Sequence, residues 1–90
     1  MKGLRVSSAF RKDLKRIGRR GLDLSKLEII VDLLRAGKAP PPQAKPHPLK
    51  GEWKAYWDCH IEPDWLLIYR VTVDEVFLAR TGTHADLFNR

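Results

Sequence analysis

Cysteine is nearly absent from this 90-residue chain: Cys59 is the only one. Neither an intramolecular disulfide nor a thiolate metal cluster can form, and a reducing compartment suits it. Long apolar runs are missing as well. No stretch approaches the roughly 20 apolar residues that span a bilayer, and "GLRVSSAF" after Met1 and Lys2 lacks the apolar segment of a signal peptide. The expectation is a cytoplasmic protein with no membrane partner. Acids are scarce at the start, where Asp13 alone stands among Lys2, Arg5, Arg11, Lys12, Lys15, Arg16, Arg19 and Arg20. No short metal-binding motif such as HExxH occurs. No metal and no cofactor are expected.

What is present suffices for one globular unit. With 43% hydrophobic and 9% aromatic residues, residues 1–90 read as a single domain with one core. The net charge of +6 suits a polyanionic partner or an acidic protein segment.

Leu4 and Val6 alternate with Arg5 and Ser7, the pattern of a half-buried strand. Phe10, Leu14 and Ile17 then recur at helical spacing, predicting a helix over 8–19 that ends near Gly18 and Gly21. Ser25 and Glu28 have the spacing of a capping box for a second helix, whose stripe is Leu27, Ile30, Val31 and Leu34, with Gly37 as its stop. Residues 38–51 hold five prolines and read as an extended surface connection. From Trp53 the period becomes two, with Trp53, Ala55, Trp57, Cys59 and Ile61 on the dry face and Lys54, Tyr56, Asp58 and His60 on the polar face. Residues 65–71 read as a central strand, 75–80 as a third strand of the meander, and "TGTHADLFNR" as a turn with one helical turn. The fold expected is α+β, in the order β-α-α-β-β-β, with two helices on one face of a small antiparallel sheet.

The polar face then acquires chemistry. All three histidines, His47, His60 and His84, lie in the second half near loop or strand ends. With Asp64 and Arg80 they make a constellation suited to acid–base work on a phosphodiester, since imidazole exchanges protons near neutral pH and guanidinium pairs with phosphate. Phe88 is placed to stack on an unpaired base. Cys59 belongs to the core face and Trp65 to the core or to a brace beneath the site. A non-catalytic basic nucleic-acid-binding module and a metal-dependent nuclease remain as alternative readings.

"HPLKGEW", "HIEPDWLLIYRV" and "RTGTHADLF" resemble the motifs of the YafQ-like branch of the RelE superfamily, toxins of bacterial type II toxin–antitoxin pairs. The resemblance in motif residues covers roughly residues 47–88, the first 46 agreeing only in architecture. It implies a ribosome-dependent mRNA endonuclease that cuts message in the decoding site and is neutralised by a cognate antitoxin. Its partners would be that antitoxin through an acidic segment, the ribosome and mRNA, with DNA reached only through an antitoxin complex. The family's functional positions fall on His47, Asp58, His60, Asp64, Trp65, Arg80, His84 and Phe88. They imply a catalytic set of His47, His60, Asp64 and His84, with Asp58, Trp65, Arg80 and Phe88 contacting substrate. The implied reaction needs no metal, with His84 as general acid, Asp64 or His60 as base, and His47 and Arg80 as phosphate ligands.

Overall fold

In the computed structural model, which describes residues 1–88, the chain forms a five-stranded sheet with two helices against one face. The elements are β1 (Gly3–Val6), α1 (Ser8–Arg19), α2 (Leu24–Arg35), β2 (His47–Pro48), β3 (Trp57–Glu62), β4 (Trp65–Val71), β5 (Glu75–Gly82) and α3 (His84–Phe88). Their order across the sheet is β1-β5-β4-β3-β2. No helix among the described residues is long and apolar enough to cross a membrane.

Local chemistry sets the helix ends. Ser7 caps α1 by accepting from the Phe10 N–H at 2.9 Å, one of the amides that a helix start leaves unpaired. Past the C-terminus of α2, Gly37 takes φ +78°. Its N–H reaches the Leu34 carbonyl while the Lys38 N–H reaches that of Leu33, a Schellman closure for which glycine is the natural residue. The cap of α2 differs from the expected one. Asp23, not Ser25, sits at the N-cap, and its carboxylate accepts from both the backbone N–H and the hydroxyl of Ser25.

The core lies between the helices and the sheet. Phe10 and Ile17 of α1 and Leu27, Ile30, Val31 and Leu34 of α2 pack with Cys59, Trp65, Leu67, Tyr69, Val76 and Leu78. These strand residues alternate with Asp58, His60, Leu66 and Ile68, whose side chains take the opposite face. At about 2 kcal/mol for each large apolar side chain removed from water, this layer is the main stabilising term.

Four further expectations are corrected. The strand foreseen from Trp53 begins at Trp57, because Gly51–Trp53 form a 3-10 turn and Ala55 takes φ +78°. Trp57 holds the helix-side face opposite Tyr69 but lies beyond the end of α2 and remains 42% exposed. The proline-rich connection contributes β2, and β1 pairs with β5 in parallel, so the sheet is mixed at one edge.

Candidate active site

Strand register sets most of the site. His47 of β2, Asp58 of β3, Ile68 of β4 and Arg80 of β5 are successive partners and form one rung across four strands. His60, Leu66 and Gly82 form the next. Neighbouring strands lie about 4.8 Å apart, so each rung is a short row of side chains on the helix-free face. A β-bulge between Ile68 and Tyr69 on the β4–β5 ladder makes this possible. Without the extra residue, Arg80 would point to the core with Leu78.

Gly82 ends the second rung, and α3 folds back from it. The turn between β3 and β4 brings Asp64 up to α3, where one carboxylate oxygen, Oδ1, accepts from the His84 backbone N–H at 3.0 Å and lies 2.6 Å from the ring Nδ1. These bonds hold the exposed Asp64 carboxyl below the ordinary carboxylate range, the side-chain bond to His84 being the larger cause. With Nδ1 engaged, Nε2 is the ring atom left for a substrate. The His60 ring lies beside it, 5.7 Å between centroids.

Asp58 is the unusual member. It is 4% exposed, and burial raises its pKa, opposed by the charges of His47, His60 and His84. His47 Nδ1 is 2.9 Å from Asp58 Oδ1, yet its hydrogen-bond geometry is met by the Lys45 carbonyl at 3.2 Å. The Asp58 contact is therefore electrostatic, off the N–H direction. Asp58 Oδ1 and His60 Nδ1 are the buried side-chain atoms without a hydrogen-bond partner among the described residues. Leaving such atoms unpaired costs about 1–3 kcal/mol each, a cost characteristic of functional sites.

Arg80 is anchored before it meets anything else. Its Nε and Nη2 donate to Asp13 at 2.7 and 3.0 Å, and Asp13 also accepts from the Thr81 N–H. Nη1 remains for an anion. Asp13 is 1% exposed, and the lone acid in a run of cations was a signal that sequence reasoning passed over. Asp86, Thr83 and Arg20 were missed too, because a pair formed across 66 positions has no local pattern.

Trp65 lies away from the open face. It is 2% exposed, and its indole N–H donates to the Thr81 hydroxyl at 2.9 Å. The direct substrate contact implied for it gives way to a brace beneath β5. Phe88 is half-buried, one helical turn beyond His84 on α3. Cys59 is fully buried on the core face, and burial pushes its thiol up to about 12, away from nucleophilic use. Thus His47, Asp58, His60, Asp64, Arg80 and His84 come together on one side of the sheet, with Phe88 on the same short helix as His84.

Relatives share this fold. The mRNA interferase toxin YafQ of Escherichia coli K12 is 44% identical over 86 residues, 94% of each chain. The crystal structure of YafQ from E. coli BL21(DE3) superposes with a TM-score of 0.91 at 42% identity, covering 98% of this chain and 99% of that one. YafQ in the E. coli DinJ–YafQ toxin–antitoxin complex gives a TM-score of 0.89 at 43% identity over 97% of each chain. Residues 2–89 also match the family described as the bacterial toxin of the type II toxin–antitoxin system, YafQ. By this match and these identities, the chain belongs to the YafQ family of bacterial type II toxin–antitoxin toxins.

Proposed function

We propose that this chain is an endoribonuclease that cuts messenger RNA in the ribosomal decoding site, inhibits translation, and is held inactive by a cognate antitoxin. The observation that carries the reading is the pair of imidazoles on the open face, His84 tethered to Asp64 and His60 at 5.7 Å between ring centroids. The name of the E. coli relative and the existence of a DinJ–YafQ complex support the substrate class and the kind of partner.

The reaction balances without a metal. A ribose 2′-hydroxyl attacks the adjacent phosphorus and gives its proton to a base; the bond from phosphorus to the 5′-oxygen breaks, and an acid protonates that oxygen. His84 is the acid, its ring held at Nδ1 by Asp64 so that Nε2 is left for the leaving oxygen. His60 is the base, its ring lying beside that of His84 on the open face. Arg80 Nη1 and His47 flank the phosphate from the neighbouring rung, and Phe88 stacks on a base. The exposed Arg11, Lys12, Lys15 and Arg19 of α1 attract an acidic antitoxin segment or rRNA phosphates.

Single-turnover cleavage of ribosome-bound and free message tests this, with a chelator selective for transition metals and magnesium left to the ribosome. Cutting confined to ribosome-bound message, unaffected by the chelator and suppressed by excess antitoxin, is expected. Equal cutting of free RNA overturns the ribosome requirement, and loss of cutting with the chelator overturns the metal-free route. An inert wild-type protein overturns the enzyme reading.

A further inference from the structure

Helix α3 has only five residues, too few to be stable by itself, yet it carries His84. Its first turn is held by a reciprocal cap: the Asp86 N–H donates to the Thr83 hydroxyl at 3.1 Å, and the Thr83 N–H donates to Asp86 Oδ2 at 3.0 Å. Arg20, at the end of α1, clamps the same carboxylate with two bonds, Nη1 to Oδ2 at 2.7 Å and Nη2 to Oδ1 at 3.2 Å. These contacts, Arg20 first, hold the Asp86 carboxyl well below its usual range. The carboxylate lies directly over Gly82, where an added Cβ would stand 2.9 Å from Asp86 Oδ2. A side chain at position 82 would displace the clamp.

Helix α1 also holds Arg80. Asp13 anchors Arg80, and Arg16 Nη1 lies 3.6 Å from an oxygen of Asp13 and of Asp86. Asp13, Arg16 and Arg20 are spaced by three and four residues, so they form one stripe along α1. That stripe joins the anchor of Arg80 to the anchor of α3.

We propose that Asp13, bonded to Arg80, and Arg16 and Arg20, acting through Asp86, are positioning residues that set Arg80 and His84 in register, so that this stripe of the first helix is part of the machinery for cleavage without touching the message. This rests on the endoribonuclease reading for its kinetic consequence, but its structural consequence is measurable without activity. A displacement near 1 Å at a reacting group can cost about 100-fold in rate while leaving remote binding intact.

The test compares wild type with Arg20→Gln and Arg20→Lys, measuring single-turnover cleavage, affinity for programmed ribosomes, melting temperature and backbone NMR order parameters for residues 84–87. Arg20→Gln is expected to lower the rate about 10- to 100-fold with affinity within about twofold, and to drop the order parameters from about 0.85 toward 0.6. Arg20→Lys, which keeps one charged donor, should recover most of the rate. Should Arg20→Gln fail to fold, Asp86→Asn replaces it, since an amide oxygen still accepts from Thr83 while the charge is gone. A folded variant with the wild-type rate, a slow variant with rigid α3, or a loss confined to affinity overturns the proposal. If wild type itself is inert, the enzyme reading falls and the order parameters alone decide: an unchanged α3 overturns the positioning role.

Discussion

Asp58, Cys59 and His60 are consecutive in β3, yet they live in two different media. Cys59 is fully buried among apolar side chains, and its thiol is pushed up to about 12. Asp58 and His60, one step to either side, hold buried polar atoms with no hydrogen-bond partner among the described residues, facing two other imidazoles. The two-residue period of a strand thus separates a packing surface from the candidate site by a single peptide unit. The covered face is packed to exclude water, and the open face keeps polar atoms that no described residue pairs.

The comparison predicts that the two faces fail in different ways. The largest effect should come from the open face: His84→Ala and His60→Ala each lower single-turnover cleavage by about 10²- to 10⁴-fold while melting within a few degrees of wild type. Unchanged rates in folded variants would put the chemistry elsewhere. On the covered face, Leu67→Ala should cost about 2–5 kcal/mol of stability by denaturant titration, with the surviving folded protein still cutting at the wild-type rate. Cys59→Ala should cost about 1 kcal/mol and leave cleavage unaffected; a well-folded but inactive Cys59→Ala would break the division of the strand.

The smallest effect has the opposite sign. Burial raises the Asp58 pKa above its unfolded value, so the unfolded chain ionises it more readily and ionisation opposes folding at neutral pH. Asp58→Asn should therefore melt slightly higher at pH 7. The gain should shrink as pH falls through the ordinary carboxylate range, where wild-type Asp58 also becomes neutral. Greater stability with weaker cleavage would mark Asp58 as a residue kept for function. A lower melting temperature would show that the three histidines outweigh desolvation.

What was legible in the chain follows from the range of the forces involved. Helix α1 is set by local periodicity and strand β4 by a nearly continuous apolar run, and both were read at the residues where they occur. The alternation of Asp58, Cys59 and His60 assigned the faces correctly because burial acts on each strand position in turn. Strand β2 was hidden: a two-residue pairing with one proline has no internal pattern and exists only because β3 lies beside it. The cap of α2 was placed two residues late because Asp23 and Ser25 are both capping residues and the hydroxyl of Ser25 is itself bonded to Asp23. The motif residues of the site could be named from the resemblance, but their supports could not. Asp13 reads as one more charge on a solvated helix until the strand carrying Arg80 arrives beneath it.

The parallel pairing of β1 with β5 carries a kinetic consequence. Gly3 lies opposite Glu75 and Val6 opposite Leu78, so the strand that begins the fold is joined to the one that completes it. Closing so long a loop brings little reward until most of the sheet is in place, which slows folding relative to a chain of local contacts. Because β5 lies between β1 and β4, it is inserted rather than appended, and Arg80 and His84 travel with it. A chain in which that insertion has not occurred lacks Arg80 and His84 beside Asp58 and His60, so on the proposed function the capacity to cut message begins with the closing step of folding.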